Sequence, residues 1–242
     1  MEEKSGHARA KMPFCVIVPC FNEKGNLGPL ADSILRIFDE FNLPGRILVI
    51  NDGSTDGTGE LADELALKHE RIRVLHQPEN RGLARALILA FSEIEEEVLI
   101  TIDADQSMDP SYIPALLKKL DACDLVIASR HVKGGRIEGF PAYRIFGSRM
   151  VNALASSILR LDIRDVTCGY RAYRKEYLKS ASLTDMPMAS FQVEILWQAV
   201  KNGARVSEVP IIEKPRVHGE SKFRLAVEVT SFIRLILKLR FS

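Results

Sequence analysis

The sequence predicts an α/β fold, a mainly parallel central sheet flanked by helices. Three observations carry this. Short apolar runs end in clusters of polar residues, as buried strands do when their carboxyl ends open onto a ligand site. Between the runs, apolar residues recur at helical spacing. The two patterns alternate, which implies right-handed crossovers and hence parallel neighbours with helices on both faces.

Taken in order, Phe14 to Val18 is an apolar run closed by Pro19, and Arg46 to Ile50 is another, closed by Asn51, Asp52 and Gly53. Between them Leu27, Leu30, Ile34, Ile37, Phe38 and Phe41 mark one helical face. The pattern repeats with a helix over Gly57 to His69, a strand over Ile72 to Leu75, a helix over Gly82 to Ile94 and a strand over Val98 to Ile102. Beyond Pro110 the regularity loosens. Helices are expected over Tyr112 to Leu120, Tyr143 to Leu161 and Phe191 to Lys201, and strands over Leu125 to Ala128 and Val206 to Ile212. Arg130 to Pro141 reads as a glycine-rich, basic loop, and the stretch around Cys168 and Gly169 as a polar segment. No linker-like composition or repeat divides the 242 residues, so a single domain is expected. Its second half (about 123–222) would build a second site onto the first (about 12–122), with a final helix over about 223–242.

Composition limits the function. Hydrophobic residues make up 46%, enough for a proper core, and 33 Lys and Arg against 32 Asp and Glu give a net charge of +1, which offers no argument for nucleic acid. Charge is uneven locally: from Arg216 onward, Arg216, Lys222, Arg224, Arg234, Lys238 and Arg240 face only Glu220 and Glu228. Cys15, Cys20, Cys123 and Cys168 lack metal-site spacing and suit a reducing cytosol as free thiols. The polar start, MEEKSGHARAKMP, has no apolar core of a secretory signal.

The stretch Val98 to Pro110, VLITIDADQSMDP, carries the chemistry. Residues two apart on an extended chain point the same way, so Asp103 and Asp105 are expected to aim into one space at the strand's end. Paired carboxylates favour a hard cation, Mg²⁺ or Mn²⁺, completed by substrate phosphates and water. Gly53 to Gly59, GSTDGTG, follows a strand and opens a helix, yet it does not match GxGxxG, and Asp52 and Asp56 would repel a pyrophosphate placed there. No GxxxxGK[ST] loop occurs. Asp52 suits hydrogen bonds from a base or ribose instead, or else a turn and helix cap.

VPCFNEKGNL (Val18 to Leu27), VINDGSTDGT (Val49 to Thr58), NRGLARAL (Asn80 to Leu87) and DADQSMDP (Asp103 to Pro110) resemble the successive motifs of family 2 glycosyltransferases, which have the GT-A nucleotide-sugar-binding fold. ASRHVKGG (Ala128 to Gly135), DVTCGYRAY (Asp165 to Tyr173), SFQVEIL (Ser190 to Leu196) and RVHGESKF (Arg216 to Phe223) are similar to the dolichol-phosphate mannose synthases among them. The resemblance implies that Pro19, Asn22, Glu23, Ile50, Asp52, Asp103, Ala104 and Asp105 hold the nucleotide sugar, with Arg130, Arg216 and Lys222 at its phosphates. It implies metal ligation by Asp103 and above all Asp105. Close relatives place a glutamine where Ser107 stands, so ligation there is less secure. Arg130, Arg144 and Ser148 would receive the acceptor phosphate, and Asp105, Arg130, Arg144 and Arg216 would carry catalysis.

The expected reaction is inverting transfer of mannose from GDP-mannose to a polyprenyl or dolichyl phosphate. UDP-glucose as donor, a saccharide acceptor and a catalytically silent nucleotide-sugar sensor are the alternatives; the QxxRW motif of processive saccharide synthases is absent from the sequence. A lipid acceptor implies a protein on the cytosolic face of a membrane, alone, as a homo-oligomer or with a small membrane subunit. Arg234, Lys238 and Arg240 break the last apolar stretch, so it is not expected to span. Leu225, Val229, Phe232, Ile233, Ile236 and Leu239 share one helical face opposite Arg234 and Lys238, which fits an interfacial basic helix or, equally, a helix packed on its own domain or a second copy.

Overall fold

A computed structural model describes residues 12–178, 183–219 and 225–240, with side chains of the last stretch described from 230 to 239. In chain order, β1 (Phe14–Cys20), α1 (Lys24–Glu40), β2 (Gly45–Asp52), α2 (Thr58–Lys68), β3 (Ile72–Gln77), α3 (Leu83–Glu93) and β4 (Val98–Thr101) build the first half. A 3₁₀ turn (Pro110–Tyr112), α4 (Ile113–Lys119), β5 (Leu125–Ser129), β6 (Arg136–Ile137), α5 (Ala142–Leu159) and β7 (Arg171–Arg174) follow. Then come α6 (Met188–Lys201), β8 (Val206–Pro210), β9 (Ile212–Glu213) and α7 (Leu225–Arg240). One sheet runs through both halves in the order β3-β2-β1-β4-β7-β5-β8, and β6 pairs with β9 beside it.

The ladders are parallel except those of β7, which is antiparallel to both β4 and β5. β1, β2 and β4 are buried along almost their whole length, as strands covered on both faces must be. β1 continues through Pro19, where the sequence suggested a stop. The Ile17 carbonyl accepts from Ile102, so alternate positions of β1 face β4. β4 ends opposite Ile17, and Pro19, which has no N–H to donate, lies beyond that ladder.

The second half departs further from expectation. β7 falls in the stretch read as polar, and its sequence RAYR hides a central strand because Arg171 is fully buried. The guanidinium donates to the carbonyls of Cys168, Gln192 and Val166, each at 2.7 Å, so backbone dipoles replace the water it gives up. β6 lies in the predicted loop, and the single strand expected over Val206 to Ile212 breaks after Pro210 so that β9 can pair with β6.

The final helix corrects the reading of its apolar face as a membrane surface. Phe232, Leu235, Ile236 and Leu239 are buried in the core, and Ser231 meets Ser190 of α6 at 3.0 Å. Only Ile233 and Leu237 look outward among its described apolar residues, beside exposed Arg234 and Lys238. The side chains of Leu225 and Val229 lie outside the described residues. The helix that does expose an apolar stripe is α5, with Tyr143, Phe146, Met150 and Leu154 each more than half accessible. Among the described residues, no helix is long and apolar enough to cross a membrane.

Candidate active site

The loops after β1, β2 and β4 meet at the carboxyl ends of these strands. The first two are stitched together: Asn22 N–H donates to Ser54 Oγ at 3.0 Å, Thr55 N–H to Asn22 Oδ1 at 2.8 Å, and Glu23 N–H to Thr58 Oγ1 at 2.9 Å. Asn22 pays for this with a left-handed backbone, φ 56°. Gly53, at φ 68°, is obligatory, because a Cβ there would sit 2.4 Å from the backbone of Glu79.

Asp52 turns inward. Its carboxylate accepts from Gln77 Nε2 at 2.9 Å, from Arg81 N–H at 2.8 Å and from Gly82 N–H at 2.8 Å, fixing the turn into α3. Ile50 is fully buried within β2 and Ala104 is 3% exposed, so neither offers a ligand more than backbone.

The aspartate pair does not follow strand alternation. β4 ends at Thr101 and Gln106 takes a left-handed φ of 58°, so the chain is turning where Asp103 and Asp105 lie. Asp105 Oδ1 accepts from Ser107 N–H at 3.0 Å, while Oδ2 lies 3.6 Å from Arg216 Nη2. The same guanidinium donates to Glu23 Oε1 at 2.8 Å, and Glu23 Oε2 accepts from Asn26 at 2.6 Å. Asp103 lies deeper, beside Gly169. Burial pushes its carboxyl up to about 7, reinforced by Asp105, Glu213 and Glu23 and opposed by Arg130. An acid so crowded by acids favours an additional cation.

The carboxyl and hydroxyl oxygens of Asp103, Asp105 and Ser107 are hard donors suited to Mg²⁺ or Mn²⁺. Among the described residues, no three His, Cys, Asp or Glu side chains converge closely enough to hold an ion alone. The set therefore fits a metal that takes the rest of its shell from a phosphorylated ligand and water.

Arg130 was expected to handle phosphate, yet most of its fork is engaged. Nε and Nη2 reach the two oxygens of Asp165 at 2.7 Å each, Nη2 also reaches Thr167 at 3.0 Å, and Nη1 donates to Glu213 at 3.2 Å. Of five N–H donors at most one is left for a ligand. Burial would lower the guanidinium's pKa, but Asp165 holds it well above its ordinary value; burial would raise Asp165, but Arg130 holds it below the usual carboxylate range.

Arg144 stands apart from these ion pairs. It is exposed on the first turn of α5, 4.9 Å over the Phe140 ring. Ser148 and Asn152 follow at successive fourfold steps on that helical face. Ser148 Oγ is 3.0 Å from His131 Nε2, and Asn152 bonds Thr167, which meets Arg130. One face of α5 thus leads from Arg144 to Arg130. Lys222 lies outside the described residues. Sequence reasoning missed Asp165, Thr167 and Glu213; the first two lie within the quoted motif DVTCGYRAY, whereas Glu213 is in a two-residue strand with no signal of its own.

Comparison with known proteins places these residues in context. The model of Glycosyl transferase family 2 matches residues 15–181. The polyprenol monophosphomannose synthase of Mycolicibacterium smegmatis is 39% identical over 214 residues, 86% of this chain and 79% of that protein. The undecaprenyl-phosphate mannosyltransferase of Micrococcus luteus is 35% identical over 220 residues, 87% of each. Among solved structures, glucosyl-3-phosphoglycerate synthase from Mycobacterium tuberculosis, in complex with Mn²⁺, UDP-glucose and phosphoglyceric acid, superposes with a TM-score of 0.68 at 20% identity, covering 95% of this chain and 80% of that one. That last likeness is one of fold.

Proposed function

The chain belongs to glycosyl transferase family 2, and on that premise we propose that it transfers mannose from GDP-mannose to a polyprenyl phosphate, with inversion at the anomeric carbon and Mg²⁺ or Mn²⁺ bound. The observation that carries this reading is the meeting of Glu23, Asp105 and Arg216, from three distant parts of the chain, at one end of the sheet. Acids there suit a cation bound to a diphosphate, and a guanidinium beside them suits the phosphate oxygens. The names of the relatives from M. smegmatis and M. luteus support the sugar and the lipid acceptor.

Asp103, Asp105 and Ser107 would hold the metal, which when bound neutralises charge developing on the leaving diphosphate. Pro19, Asn22, Glu23, Ile50, Asp52 and Ala104 would border the nucleotide and sugar. Arg216, already held at the acids, is positioned to meet the diphosphate, with Lys222 assigned to the same task. The acceptor's phosphate monoester has a second pKa of about 6, by analogy with phosphorylated side chains, so it attacks as an anion and needs no general base. The bond from its oxygen to the anomeric carbon forms as the bond to the diphosphate breaks, and GDP leaves. Arg144 and Ser148, one turn apart, would receive that phosphate, with Arg130 as a supporting charge.

The acceptor's chain remains in a bilayer, so the catalyst must come to its surface. The apolar stripe of α5 supports docking there: Tyr143, Phe146, Met150 and Leu154 are 75%, 65%, 58% and 61% exposed, and Arg144 and Arg149 flank them. Burying such a side chain contributes roughly 1.5–3 kcal/mol. On this reading the protein works as a peripheral enzyme on the cytosolic face of the membrane. The test is a donor panel of GDP-mannose, GDP-glucose and UDP-glucose with polyprenyl phosphate, with and without chelator, resolving the product's sugar and anomer. Mannosyl product of the opposite anomer to the donor is expected. Transfer only from UDP-glucose, or undiminished transfer in excess chelator, would overturn the donor or the metal assignment.

A further inference from the structure

Gln192, on α6, is 1% exposed and its Oε1 is enclosed without a hydrogen-bond partner among the described residues. Leaving a buried amide oxygen unpaired is unfavourable, and such groups call for a ligand or water to complete them. The side chain reaches the floor of the acidic cleft. A Cβ placed on Gly169 would lie 3.2 Å from Gln192 Nε2 and 3.8 Å from Asp103 Oδ1, so the carboxamide and the carboxylate flank one gap that only a glycine leaves open. Gly169 is fixed there by Thr101, whose hydroxyl donates to its carbonyl at 2.6 Å, and Arg171 pins the carbonyls of Cys168 and Gln192 on either side. Asp103 and Gly169 both keep part of their surface open, whereas Gln192 lies beneath them.

Asp105 lies beside Arg216, whereas Asp103 lies beside Gly169. We propose that Gln192 is a positioning and specificity-determining residue for the transferred sugar, its carboxamide bonding a ring hydroxyl of the hexose across Gly169. The terminal torsion of glutamine is broad and two-fold, so either end of the amide can turn to the hydroxyl. This assignment rests on the glycosyl-transfer reading above.

The test measures affinity for GDP and for GDP-mannose in the presence of Mn²⁺, together with kcat/KM for GDP-mannose and GDP-glucose, in wild type, Gln192→Met, Gln192→Asn and Gly169→Ala. Met conserves volume while removing the amide. Gln192→Met is expected to bind GDP as wild type does, to bind GDP-mannose about tenfold more weakly, and to lose discrimination between the two sugars by a similar factor, the scale of one net hydrogen bond. Gln192→Asn should recover part of that loss. Should Gln192→Met fail to fold, as judged by melting, Gly169→Ala closes the same gap with Gln192 intact and should show the same selective loss. Unchanged donor affinity and unchanged sugar preference in either folded variant would overturn the proposal. Wild type that transfers no mannose would instead overturn the reading on which it rests.

Discussion

Arg216 Nη2 stands 2.8 Å from Glu23 Oε1 and 3.6 Å from Asp105 Oδ2, so one guanidinium bridges the loop after β1 and the acidic loop after β4. Arg216 is largely buried, which strengthens both attractions and makes the arginine a pivot of the site. Arg216→Ala should raise the KM for GDP-mannose and lower kcat, by about 100-fold or more in kcat/KM, because two acids lose their counter-charge and the diphosphate loses a donor. Arg216→Lys should recover little, since a point charge cannot serve both acids in the geometry of a planar fork. Wild-type kinetics in the lysine variant would show that charge alone matters there.

Asp105 accepts from Ser107 N–H and faces Arg216, and it is the leading candidate for a metal ligand. Asp105→Asn should reduce transfer by at least about 100-fold with the melting temperature little changed, and a chelator should silence wild type reversibly. Calorimetric titration with Mn²⁺ and GDP supplies a readout separate from turnover. Equal metal-dependent GDP binding in wild type and variant would remove Asp105 from the metal's shell.

Asp165 and Arg130 form a pair whose carboxylate is fully covered. Arg130 depresses the Asp165 carboxyl, so its contribution is complete above the ordinary carboxylate pKa of about 4 and is lost as pH falls through the lower folded value. Asp165→Asn should cost about 3–5 kcal/mol at pH 7, because a buried guanidinium loses its charge partner. The deficit relative to wild type should narrow in acid, below pH of about 4. Denaturant titrations across pH would contradict the assignment if the difference between the two proteins were constant.

Arg144 lies at the exposed start of α5, away from the ion pairs that engage Arg130 and Arg216. Arg144→Ala should raise the KM for polyprenyl phosphate about tenfold while GDP-mannose affinity is unchanged. Loss of donor affinity with an unchanged acceptor KM would mean that Arg144 serves the other substrate.

The outer face of α5 presents Phe146 and Leu154 at 65% and 61% exposure. The double change Phe146→Glu and Leu154→Glu should leave folding intact, weaken co-sedimentation with anionic vesicles and slow turnover of long-chain acceptor, while sparing a short, water-soluble polyprenyl phosphate. Deleting Val229 to Ser242 should instead destabilise the protein, since Phe232, Leu235, Ile236 and Leu239 are core. Vesicle binding that survives the α5 changes, together with a shift from dimer to monomer, would identify a second copy as the partner of that face.

The alternation of apolar runs and helical periods determined the first half of the fold. There strands buried on both faces read as unbroken Val, Ile and Leu, and each helix shows its stripe. The positions of Asn22, Glu23, Asp103 and Asp105 at the strand ends were legible for the same reason, since a parallel sheet delivers polar residues to its carboxyl edge. Tertiary structure decided what those side chains face. Asp52 looks suited to ribose in sequence and is held in place by Gln77, Arg81 and Gly82. Arg130 looks like a free cation and is forked onto Asp165. β7 escaped because an arginine is polar in any sequence scale yet can be buried where three carbonyls converge. The two apolar helices were inverted by the same cause: periodicity shows that α7 has an apolar face, but only the packing of α6 and the core against it decides that this face is covered while that of α5 is left outside. Sequence thus sets which residues are available, and long-range contacts, invisible to local pattern, set which of them remain unsatisfied and therefore open to a ligand.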